Sequence, residues 1–128
     1  MLRPARALAA GLLLGGLGLP FVEVAEPASA QDASQRREFT IVARDHHFSP
    51  DVIEVQQDDL VRVTLRAEDI PHSFTIDEYR IAKRAGAGQS VTFEFRADTA
   101  GTFRFYCNLT TDDRCREMQG QLVVHPRP

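Results

Sequence analysis

From residue 38 onward, apolar and polar side chains alternate with a period of two. Phe39, Ile41 and Ala43 are separated by polar or small neighbours, the pattern of a half-buried strand. A Ser49-Pro50-Asp51 turn signal leads to Val52, Ile53 and Val55 around Glu54. Val61, Val63 and Leu65 interleave with Arg62, Thr64 and Arg66, which suits a strand with one face on a core and one in water. Residues 72–76 form a shorter strand, and Val91, Phe93 and Phe95 alternate with Thr92, Glu94 and Arg96. Asp98-Thr99-Ala100-Gly101 turns the chain into Phe103 and Phe105, and residues 122–125 close the pattern. Residues 78–89, with Gly86 and Gly88, read as an edge strand or loop. No stretch after residue 30 sustains a helical repeat. Roughly seven or eight strands, with turn signals about every eight to twelve residues, predict an all-β sandwich. Of the eight phenylalanines in so short a chain, the seven after residue 30 can fill the space between two sheets.

The first thirty residues follow a different rule. Arg3 and Arg6 precede an apolar run over residues 7–19, and Ala28-Ser29-Ala30 supplies a small-residue cleavage site. That is the order of a secretory signal, and the run is short of the ~20 residues of a spanning helix. The expected organisation is a signal peptide at 1–30, a disordered leader at 31–37 and one domain at 38–125, exported to a periplasm or beyond. The net charge of −3 is unchanged by loss of the signal, where Arg3 and Arg6 offset Glu23 and Glu26. With no basic stripe, nucleic acid is excluded as a partner. No stable membrane insertion of the mature chain is expected, and a monomer is.

Candidate chemistry gathers in residues 105–124, F-Y-C-N-L-T-T-D-D-R-C-R-E-M-Q-G-Q-L-V-V. One strand ends in Cys107, a polar loop follows, and Cys115 and Met118 lead into another strand. Upstream, His72 stands at a strand edge in Pro71-His72-Ser73-Phe74, where proline stiffens the approach. A histidine before one strand and soft ligands after another are the parts of a copper site in a β-sandwich. Blue-copper sites use two His, one Cys and a weak Met. One imidazole of that set is missing here.

These residues together resemble the cupredoxin family. The similarity runs from F-S-P-D-V-I-E-V-Q-Q-D-D-L-V-R-V through P-H-S-F-T-I-D-E-Y and A-G-T-F-R-F-Y-C to M-Q-G-Q-L-V-V, nearly all of residues 38–124. It implies a Greek-key β-sandwich. In pattern it is closest to the CuA-type domains of cytochrome oxidase subunit II and nitrous oxide reductase, which read Cys-x3-Cys-x3-His-x2-Met. On that spacing Cys107 matches the first cysteine, Met118 the methionine and His72 the first histidine. Thr111 falls where the second bridging cysteine belongs and Cys115 where the second histidine belongs. A dinuclear centre needs two bridging thiolates and two imidazoles, so it is rejected for this chain.

Two readings of the site stay open. In the first, His72, Cys107, Cys115 and Met118 bind one copper ion. Two thiolates, a thioether and an imidazole form a soft set that favours Cu(I), for electron transfer or copper handling with a redox or copper-carrier protein. In the second, Cys107 and Cys115 form a disulfide, as an even pair in an exported domain usually does, and the protein is a metal-free, stapled interaction module. A reversible pair would reconcile them, holding metal when reduced and releasing it when oxidised. Met118 suits core packing as well as ligation. His46 and His47 lie in a turn and are expected to be solvated, unless one folds over the site in place of the missing imidazole. His125 is expected to be exposed, and the charged residues of 112–117 read as a solvated loop. No nucleophile beside a base, phosphate loop or paired carboxylates suggests an enzyme.

Overall fold

The computed structural model describes residues 18–22 and 34–128. The signal peptide expected at 1–30 falls largely outside them, as do residues 31–33 of the leader expected at 31–37; its last two residues, Arg36 and Arg37, are strand. Among the described residues nine strands run β1 (Arg36–Arg44), β2 (His47–Ser49), β3 (Val52–Gln56), β4 (Leu60–Ala67), β5 (His72–Ile76), β6 (Ile81–Ala85), β7 (Ser90–Arg96), β8 (Gly101–Tyr106) and β9 (Gln119–His125). A 3-10 helix, Asp113–Glu117, is the one helix among the described residues. β1 starts two residues before the expected boundary, because Arg36 and Arg37 already pair with Leu60 and Val61 of β4. The segment read as edge strand or loop contains β6, which closes one edge of its sheet.

The strands form two sheets, ordered β2-β1-β4-β7 and β3-β9-β8-β5-β6. Each sheet contains one parallel pair, β1 with β4 and β3 with β9. The chain leaves β1, crosses through β2 and β3, and re-enters beside β1 in the same direction. Hairpin logic alone would have made every pair antiparallel.

Alternation places the core as the pattern requires. Ile41, Val61, Val63 and Leu65 of the first sheet face Ile53, Phe74, Phe105, Leu122 and Val124 of the second, all of them buried. Each such side chain contributes about 1.5–3 kcal/mol when removed from water. Phe74 stacks on Phe105 at 4.7 Å, and Phe48 and Phe93 pack around the pair. β5 departs from alternation, with all five residues buried. One side of it carries His72, Phe74 and Ile76; Ser73 on the other lies under the loop that follows β8. There the Ser73 hydroxyl donates to Asn108 Oδ1 and accepts from the Asn108 amide, both at 2.7 Å.

Candidate functional site

One end of the sandwich gathers the start of β5, the segment after β8, the approach to β9 and the β1–β2 turn. His72 opens β5 and is completely buried. Its Nε2 lies 2.8 Å from Asp69 Oδ1, and its Nδ1 is buried with no hydrogen-bond partner. Asp69 is held in turn by the Asp45 amide at 2.8 Å and the Ile70 amide at 2.8 Å. Partial burial pushes the Asp69 carboxyl up, but the Asp45 amide, the His72 ring and the Ile70 amide outweigh it and hold the group well below the usual carboxylate range. An ionised carboxylate only accepts hydrogen bonds. In the neutral form of the ring, the His72 proton therefore sits on Nε2 and Nδ1 keeps its lone pair.

Cys107 and Cys115 are both buried and joined by a disulfide, with Cα atoms 5.2 Å apart, inside the ordinary range for a bridge. Cys107 follows β8 directly, whereas Cys115 is carried inward on the 3-10 helix. Each sulfur faces a backbone amide: Ser73 N–H donates to Cys107 Sγ at 3.4 Å and Leu109 N–H to Cys115 Sγ at 3.2 Å. Met118 caps the 3-10 helix and is buried. Its amide donates to the Cys115 carbonyl and its carbonyl accepts from the Cys107 amide.

The structure thus brings His72, Cys107, Cys115 and Met118 to one end of the sandwich. β5 and β8 are neighbours, with Thr75 opposite Tyr106, so the residue after His72 touches the first cysteine. The sulfurs are bonded to each other. Among the described residues, no group of three or more His, Cys, Asp or Glu side chains is arranged to hold a metal ion.

Two side chains read as peripheral belong to this end. His46, expected to be solvated, is only 18% exposed at its side chain. Its Nε2 lies 2.5 Å from Asp112 Oδ2, and its ring centre stands 6.2 Å from that of His72, edge to face. Asp112, read as part of a solvated loop, caps the 3-10 helix by accepting the Arg114 amide at 3.0 Å. The His46 ring, then the Arg114 amide, hold its carboxyl below the ordinary range. Asp69 reads in the sequence only as a turn residue, although its place three residues before His72 could have marked it; nothing local marked Asp112 as a partner of His46. His47 enters β2, and His125 is half exposed beside Glu54 at 3.5 Å.

The family model described as a cupredoxin-like domain matches residues 20–124. The chain belongs to the cupredoxin family. Cupredoxin-like architecture also relates it to solved structures. A heme-copper terminal oxidase dimer aligns at a TM-score of 0.66 with 19% identity, over 75% of this chain and 68% of that one. Auracyanin A, a "blue" copper protein from Chloroflexus aurantiacus, aligns at 0.59 with 18% identity, over 70% of this chain and 99% of its own. The metal-binding domain of the Cu(I)-exporting P-type ATPase CopA from Streptococcus pneumoniae D39 aligns at 0.58 with 16% identity, over 70% and 85%. At these identities the likeness is one of fold. No helix of the described residues is long and apolar enough to cross a membrane.

At this end His72 Nδ1 is buried without a hydrogen-bond partner, Met118 packs in the core, and the two sulfurs are taken up by the bridge.

Proposed function

We propose that this is an exported, non-enzymatic cupredoxin that binds a single copper ion through His72, Cys107, Cys115 and Met118 when the disulfide is reduced. The observation that carries this reading is His72: completely buried, its Nε2 held by a carboxylate, its Nδ1 without any partner. A buried polar atom left unpaired costs stability. A histidine whose other nitrogen donates to a carboxylate is the common form of a metal ligand.

Opening the bridge takes two electrons and two protons from a dithiol reductant, which becomes a disulfide itself. Binding of Cu(I), the ion favoured by two thiolates and a thioether, then releases the two thiol protons. Closing the bridge, by the reverse exchange in which a disulfide oxidant takes up the two electrons and becomes a dithiol, would withdraw both thiolates. This coupling suits copper handling, with a copper-carrier or redox protein as partner, better than repeated one-electron transfer. The closed disulfide itself favours a second reading, a metal-free stapled module.

Native mass spectrometry of the mature protein separates the two, run with the bridge intact and after reduction in the presence of Cu(I). The copper reading predicts one tightly held Cu(I) per reduced chain. Cys107→Ser should cost more affinity than the about 10–100-fold typical of losing an outer-shell partner. If the reduced chain takes up no Cu(I), the stapled module stands instead.

A further inference from the structure

We infer that His46 is the second imidazole of this site, so that the chain also holds copper with the Cys107–Cys115 bridge closed. The inference rests on the copper reading of His72 and extends it to the oxidised protein.

The two histidines are built alike. His72 Nε2 meets Asp69 and His46 Nε2 meets Asp112. Because an ionised carboxylate only accepts, Nε2 carries the proton in each neutral ring and Nδ1 is left as the free donor atom. Metal–imidazole bonds of about 2.0–2.1 Å place two ring centres on one ion about 5–6 Å apart. The observed 6.2 Å lies within a small adjustment of that spacing.

Backbone geometry points the same way. Asp45 and His46 both adopt left-handed conformations, with φ of 50° and 60°, in a two-residue hairpin turn where Asn-Gly or Asp-Gly would be the easy choice. His46 is instead held there by contacts from outside its hairpin: Asp69 accepts the Asp45 amide and Asp112 receives the His46 ring. Those two carboxylates link the turn to the loop before His72 and to the loop carrying Cys115. Met118, buried beside the bridge, adds a thioether. Imidazole suits copper in general, and Cu(II) more than a thiolate set does. The oxidised protein would therefore keep a nitrogen-rich site after its thiolates are gone.

The test titrates Cu(II) into the mature protein with its disulfide intact, confirmed by the absence of free thiol. Affinity is read by chelator competition and coordinated imidazoles are counted by pulsed electron paramagnetic resonance. One copper with two imidazole nitrogens is expected. His46→Gln, which can still bond Asp112, should lose one nitrogen and about 100-fold or more in affinity, beyond the cost of an outer-shell change. Asp112→Asn should keep both nitrogens and weaken binding by about 10–100-fold. Circular dichroism and a thermal melt of each variant establish that it is folded. The inference is overturned if the oxidised protein binds no copper, or if His46→Gln binds it unchanged with two nitrogens, which would assign the signal to His47 or His125. Parallel Cu(I) loading of the reduced protein keeps the two ideas apart. Copper in the reduced form alone sinks the role of His46 and leaves the four-ligand site; copper in neither form sinks both.

Discussion

Asp69 shows how much a single turn residue can carry. Its two carboxylate oxygens take the Asp45 amide on one side and the Ile70 amide and His72 Nε2 on the other. It thereby sets the β1–β2 turn and the orientation of a buried imidazole. Asp69→Ala leaves those donors without their acceptor. On the copper reading, Cu(I) affinity of the reduced protein should fall about 10–100-fold, measured by competition with a Cu(I) chelator. Urea unfolding should show a loss of about 1–3 kcal/mol. A purely structural role would lower the second quantity and spare the first. In the sequence Asp69 reads only as a residue favoured at turns, because its partners come from the hairpin turn and the next strand and not from its own turn alone. His46 was hidden for a related reason. Its orientation depends on a left-handed backbone and on a carboxylate 66 positions away.

Among the elements, β9 depends on a contact that its residue pattern does not announce. Gly120 lies opposite Phe105 of β8, and a methyl group there would run into the Phe105 ring and the Asp51 carbonyl. Phe105 is the ring stacked on Phe74, so it has little room to yield. Gly120→Ala should destabilise the fold by about 1–3 kcal/mol through overpacking, read as a lower urea midpoint with an unchanged slope. The strands themselves were legible because a period of two is local and each buried face follows from it. The parallel pairings were not, since they follow from where the chain crosses between sheets. The sequence placed a turn at His46 and His47 but not the strand β2 that pairs back on β1, because the turn lacks the glycine that usually marks a hairpin.

At the scale of the whole molecule, the disulfide couples stability to the site. The bridge closes a short loop, and opening it in the absence of metal should cost about 2–3 kcal/mol in the chain-entropy model, seen by chemical unfolding with and without reductant. Free Cu(I) at about a hundred times its dissociation constant should restore about 2.7 kcal/mol. A stapled scaffold would show the loss and no recovery. By itself the sequence determined the all-β sandwich, the residues of its core and the four sulfur and imidazole candidates at one end. Those follow from local alternation and from side-chain chemistry, which need no knowledge of distant neighbours. Tertiary structure decided that β5 is buried on both sides, that the two sulfurs are bonded, and that His46 and His72 stand 6.2 Å apart, each against its own carboxylate. These depend on contacts between segments far apart in the chain, and only the packing of the two sheets and their loops brings such segments together.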